Sequence, residues 1–144
     1  MEFQIEPFVG AGALKFGMSP AQVRSICGDD YVSFKRVPTV AVPHDLFESL
    51  GLFVYYNKIG IVEALEFTKP AKPIYKQNNL IALSYAMFQT FLQKDDPILE
   101  IEEDSIISHR LGIGAWYPHG ADEPGNPAET IIVFEKDYYG ENSS

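Results

Sequence analysis

The residues able to do chemistry are few, and their spacing argues against most active sites. His44, His109 and His119 are the three histidines, and Cys27 is the single cysteine. No two histidines stand four apart, and no C-x-x-C pair occurs, so nothing here has the ligand spacing of a zinc centre. Cys27 falls at the C-terminal end of a predicted helix, beside Gly28. A reactive thiolate is favoured at the opposite end of a helix, so Cys27 reads as a small buried apolar group. Gly10-Ala11-Gly12 and Gly112-Ile113-Gly114 neither precede a G-K-[ST] triplet nor open a helix, which leaves bulges or tight turns rather than phosphate loops. No catalytic residue, no metal ligand and no cofactor is therefore expected.

The acids are a different matter. Asp95, Asp96, Glu100, Glu102, Glu103 and Asp104 fall within ten positions. The run has no glycine for the sharp turn of a calcium loop, and nothing pairs its carboxylates across a cleft as a glycosidase does. Two readings stand: a solvated loop and strand edge, or an acidic docking surface for a basic protein. Residues 1–72 hold eight acidic and seven basic side chains, whereas residues 73–144 hold twelve and four. That second half also carries Trp116, Tyr117, Tyr138 and Tyr139. At an interface aromatics anchor and charges steer, so these four join the six acids as candidate partner-binding residues. Ordinary sheet packing is the other reading of the aromatics, and Tyr138-Tyr139 are expected to be partly exposed.

The elements that must position these groups can be read in order. Ser19-Pro20-Ala21-Gln22 predicts a helix over 20–27, with Ser19 as N-cap, Pro20 at N1 and Gln22 completing a capping box. Met18 is placed to staple onto Val23, Ile26 shares the face of Val23, and Gly28 is expected to end the helix in the left-handed conformation. A strand follows over 31–37, then a loop marked by Pro38 and Pro43. Asp45 to Leu50 reads as a helical turn ended by Gly51. Residues 52–67 read as a hairpin turning at Asn57–Gly60. Ile74-Tyr75-Lys76 is a further strand. Ser84 caps a second helix to Lys94, whose Tyr85, Phe88 and Leu92 form a buried stripe flanked by Met87 and Phe91. Strands over 105–111 and 113–117, a loop from Pro118 to Pro127, and a strand over 130–134 complete the chain. Residues 130–134 are too apolar for a sheet edge.

These elements predict an α+β class: a mostly antiparallel β-sheet packed by two main helices, in a single domain over 1–140, with a flexible tail at 141–144. The chain has 144 residues, enough for an ordinary core without disulfides or metals. Its net charge of −9 argues against nucleic acid and anionic lipid as partners. The first residues have neither the basic nor the apolar region of a secretory signal, and no stretch is apolar enough to span a membrane, so a cytoplasmic location is expected.

Two segments carry a resemblance. Phe16-Gly17-Met18-Ser19-Pro20-Ala21-Gln22-Val23, closed by Gly28, resembles the opening of many small bacterial domains. Among them are SmpA/OmlA-type assembly lipoproteins and small proteins encoded beside polymorphic toxins. Ser108-His109-Arg110-Leu111-Gly112-Ile113-Gly114-Ala115-Trp116-Tyr117-Pro118, followed by Glu129 to Tyr139, is similar to the C-terminal half of immunity proteins in contact-dependent inhibition and related toxin systems. The resemblance implies a non-enzymatic cytoplasmic antidote. It would act as a monomer, or as a heterodimer with the C-terminal domain of its cognate toxin, a basic protein and often a nuclease whose active site it would block. An SmpA/OmlA-like binding module or assembly chaperone is the second reading, and a small enzyme the third.

Overall fold

Period-two alternation opens the chain. In the computed structural model, which describes residues 1–39 and 42–139, Glu2–Glu6 (β1) buries Phe3 and Ile5 and turns Glu2, Gln4 and Glu6 outward. Two short strands follow, Gly10–Ala11 (β2) and Leu14–Lys15 (β3). The first helix then runs over Pro20–Cys27 (α1). Its capping box is formed: Gln22 N–H donates to Ser19 Oγ at 3.2 Å, and Ser19 N–H donates to Gln22 Oε1 at 2.9 Å. Val23 is buried, but Ile26 lies exposed, because the helix meets the core along one narrow seam. Gly28 ends the helix with φ 99° and ψ −176°. Its φ is positive as glycine allows, but ψ is extended, so the expected left-handed cap is not made.

The chain continues through Val32–Phe34 (β4), shorter than the expected 31–37, and His44–Phe47 (β5). Asp45 to Phe47 are strand, not the start of a helical turn; only Glu48–Leu50 form one, of 3-10 type. Gly51 closes it at φ 64°, ψ 39°, where a Cβ would stand 2.1 Å from the Thr68 carbonyl oxygen. Leu52–Tyr56 (β6) and Val62–Phe67 (β7) form the expected hairpin. Next come Lys72–Tyr75 (β8), Asn78–Asn79 (β9) and the second helix, Tyr85–Gln93 (α2), with Ser84 Oγ accepting from Met87 N–H. Four strands finish the fold: Glu100–Ile101 (β10), Ser105–Ser108 (β11), Ile113–Trp116 (β12) and Thr130–Phe134 (β13). The segment read as one strand over 105–111 stops at Ser108, and His109 sits in the turn beyond it.

The strands form two sheets. The larger is wholly antiparallel, in the order β10-β11-β12-β13-β7-β6-β5-β4. The smaller runs β3-β2-β1-β8-β9, with β1 and β8 parallel. The class is thus α+β with strand in the majority. One continuous core joins the two sheets and both helices, with Phe3 of β1 set against Phe67 of β7 at a 5.0 Å ring separation. Helix α2 lays Tyr85 and Phe88 edge-on to Tyr117. As its apolar run required, β13 is central in the larger sheet. The expected tail over 141–144, and residues 40 and 41 of the loop between Pro38 and Pro43, lie outside the described residues.

Candidate functional site

The larger sheet packs one face on the core. Its other face is the place to look, because strand registers fix what stands there. Glu66 of β7 is opposite Ile132 of β13, which is opposite Gly114 of β12, which is opposite Ile107 of β11. In the other direction the row continues from Glu66 through Phe53 and Leu46 to Val32. An antiparallel sheet with a solvated outer face normally turns polar residues to it. Here the row is apolar apart from Glu66, and no helix or strand of the described residues lies over it. Val32 is exposed, and Leu46, Phe53, Ile107 and Ile132 are each half-buried.

Around this row the aromatics cluster. Phe34, Phe53 and Tyr55 contact one another at ring separations of 6.0 to 6.4 Å. The turn after β13 folds Tyr138 and Tyr139 over Phe134, at 5.6 and 4.9 Å. Arg36 lies 4.1 Å above the Tyr55 ring and reaches the Tyr138 hydroxyl. Glu66 accepts hydrogen bonds from the Tyr55 hydroxyl and from Thr130 Oγ1. Burial, and then this carboxylate, push the Tyr55 phenol well above its usual range. Burial likewise raises the carboxyls of Glu63 and Glu135, neighbouring acids at the end of β13.

Trp116 stands on the same face, opposite Ser105 on one side and Thr130 on the other, and is 46% exposed. Immediately beyond it is a cleft of about 450 Å³ walled by Glu102, Glu103, Asp104 and Asp122, with Pro118 and His119 closing one side. Backbone bonds hold the two walls together: Tyr117 N–H donates to the Asp104 carbonyl and Ala121 N–H to that of Glu103. All four acids are exposed, and none has a salt-bridge partner among the described residues.

The ten candidate contact residues thus separate. Trp116, Tyr138 and Tyr139 share the outer sheet face, Glu100 stands at its β10 edge, and Glu102, Glu103 and Asp104 line the cleft beside it. Two candidates are corrected. Asp96 is 3% exposed: it accepts from Ser108 Oγ at 2.7 Å and from Ile98 N–H at 3.0 Å, tying the chain after α2 to the end of β11. Tyr117 is 1% exposed, packed under α2 with its hydroxyl donated to the Leu83 carbonyl. Neither offers surface to a partner. Asp95 is half-buried and already engaged, accepting from Tyr75 Oη at 2.9 Å and Lys76 Nζ at 2.8 Å, and Lys76 holds its carboxyl below the usual range.

The outer row itself escaped the sequence reading, although a signal existed. Leu52-Phe53-Val54-Tyr55-Tyr56 and Ile131-Ile132-Val133-Phe134 do not alternate, and an unalternating strand has two apolar faces.

A buried polar network also went unread. Arg24 of α1 donates from Nε and Nη2 to Asp45 of β5, at 3.0 and 2.9 Å, and Tyr56 Oη donates to the same carboxylate at 2.8 Å. Beside it, His44 Nδ1 accepts from Tyr56 N–H, while its buried Nε2 has no hydrogen-bond partner among the described residues. Burial lowers the His44 pKa. The network fastens α1 to the sheet. Cys27 is half-buried, and burial pushes its thiol up to about 11, as suits an inert side chain. Among the described residues no group of three His, Cys, Asp or Glu side chains is placed to hold a metal, and no helix is long and apolar enough to cross a membrane. No family model matches the chain, and neither a curated protein nor a solved structure is significantly similar to it.

Proposed function

We propose that this protein is a non-enzymatic antidote that binds a cognate toxin domain, a basic nuclease domain, and neutralises it by covering its active site. One observation carries the reading: an apolar, aromatic sheet face, capped at one end by the turn of Tyr138 and Tyr139 but with no described helix or strand over it, leads past the exposed Trp116 to a cleft of four carboxylates without ion-pair partners among the described residues. Interfaces of useful affinity bury about 800 Å² per partner and concentrate their energy in a few aromatic anchors. The outer row with Trp116 and Tyr139 supplies anchors, and the cleft supplies steering. A nuclease site must hold phosphates, so its surface is basic, and carboxylates can occupy the positions of the phosphates. Such pairing raises the association rate and makes it fall with salt. The protein acts in the cytoplasm, as a monomer until it forms a heterodimer with the toxin.

The test is co-purification with the toxin domain encoded beside it. A one-to-one complex is expected, together with rescue of cells that express the toxin. The triple variant Glu102→Lys, Glu103→Lys, Asp104→Lys should slow association, on the order of tenfold or more at low salt, and flatten its salt dependence. Trp116→Ser should instead speed dissociation. If no neighbouring toxin domain is bound or neutralised, the reading fails.

A further inference from the structure

The larger sheet ends at two strands, β4 and β10, and the two edges are built differently. Natural edges are blunted against strand addition by Lys, Pro or bulges. Edge β4 follows that pattern: Lys35 and Arg36 come directly after it, and Pro38 two residues later. Edge β10 is only two residues long and has Pro97 three positions before it, but from Ile98 to Glu102 it carries neither cation nor proline. Ile98 is 83% exposed and Ile101 44% exposed, beside Glu100 and Glu102.

The register fixes which backbone groups are open. Ile101 is opposite Ile106, and Glu102 N–H donates to the Ser105 carbonyl. In an antiparallel ladder, bonded and non-bonded pairs alternate. Glu100 and the Glu102 N–H therefore turn toward β11, the Glu102 carbonyl accepts from Tyr85 Oη at 2.6 Å, and Ile101 turns its own N–H and C=O outward. Side chains alternate too: Glu100, opposite Ile107, belongs to the outer face, while Ile101 points to the core side with Ile106.

We infer that β10 is a strand-docking edge, and that the occupant is a basic β-strand of the partner that adds beside it as a ninth strand. Charge selects this occupant. A second copy of the chain would set Glu100 and Glu102 against the same acids, and like charges across a strand pair repel. A strand that alternates Lys or Arg with aliphatic residues places its cations beside Glu102 and beside Glu100, whose carboxylate also meets His109 Nε2 at 3.1 Å. Its apolar side chains then fall on Ile101 and its backbone on the free N–H and C=O of Ile101. The inference rests on the antidote reading for the partner's identity, and it adds the mode of contact: main-chain pairing gives the affinity and alternate side chains the specificity. The docked strand would border both the acidic cleft and the apolar row, so all three form one continuous contact surface.

A blocked eight-residue peptide alternating Lys and Val probes the edge without the toxin. In titrations of isotope-labelled protein, the largest amide shifts are expected over residues 98–102, and exchange of the Ile101 amide, fast in the free protein, should slow about tenfold or more on saturation. The same peptide N-methylated at alternate residues keeps its charge but cannot pair. It should bind at least about tenfold more weakly. Ile101→Pro should abolish the response while leaving the fold intact, because the N–H it removes bonds to nothing in β11. Equal binding by the two peptides, shifts centred away from 98–102, or an Ile101 amide already slow without peptide would each overturn the inference. The two proposals fail separately. Peptide pairing without any toxin complex would sink the antidote reading alone. A toxin complex as tight with Ile101→Pro as with the parent protein would sink the docking edge alone.

Discussion

Replacing Arg24 by Met tests the account of how α1 is held. The Asp45 side chain is fully buried and the Arg24 side chain 31% exposed. Removing the guanidinium deprives the carboxylate of two charge-assisted hydrogen bonds and leaves it only the Tyr56 hydroxyl. Breaking a buried ion pair from one side costs about 3–5 kcal/mol. The partial exposure of Arg24 lets water reach the vacated end, which places the expected cost near the bottom of that range, about 3 kcal/mol. In a chain of this size that lowers Tm by roughly 10 °C. Asp45→Asn should cost less, about 2 kcal/mol, since an amide oxygen still accepts from Tyr56 or Arg24. The double variant should cost less than the two singles together, by about 1.5 kcal/mol or more, because once Arg24 is gone a neutral amide in place of Asp45 is easier to bury than a carboxylate. Urea denaturation followed by far-ultraviolet circular dichroism measures all four corners of the cycle. If Arg24→Met costs under about 1 kcal/mol, or if the two losses simply add, the buried pair does not hold the helix as argued.

Four further outcomes follow from the geometry. Burial lowers the His44 pKa, so the unfolded chain takes up the proton first as pH falls; the stability from this site is full above about pH 6.5 and is lost below it. His44→Asn, whose Oδ1 can still accept from Tyr56 N–H, should therefore lose less Tm between pH 7 and 5 than the parent protein, and equal slopes would contradict the assignment. Asp96→Ala should cost about 1–3 kcal/mol by orphaning Ser108 and Ile98 N–H, whereas Glu103→Lys should stay within about 0.5 kcal/mol, both read by urea midpoints. Trp116→Ser should also leave stability within about 0.5 kcal/mol, yet reduce binding of a hydrophobic dye to the outer face. With its thiol pushed up to about 11, Cys27 should alkylate at pH 8 on the order of 100-fold more slowly than a free thiol, and at the ordinary rate once the chain is unfolded.

Local chemistry was legible in the chain because it is decided within a few residues. Ser19, Pro20 and Gln22 define the start of α1 without reference to anything distant, and Ser84 does the same for α2. The 52–67 hairpin and the central place of β13 follow from apolar runs and one turn. The charge imbalance and the lack of metal-ligand spacing are likewise properties of the sequence alone. Tertiary structure decided which of the clustered acids are surface. Asp95, Asp96 and Glu102 look alike in sequence, but one meets Lys76 and Tyr75, one lies under Ser108, and one faces a cleft. Trp116 and Tyr117 are adjacent, and the pleat sends the first to the outer face and leaves the second under α2. Strand order is set by pairings between residues far apart in the chain, such as Ile132 with Glu66. Only that order lines up Ile107, Ile132, Phe53 and Leu46 into a single apolar row on the outer face, and only the register turns the Ile101 backbone to the open edge.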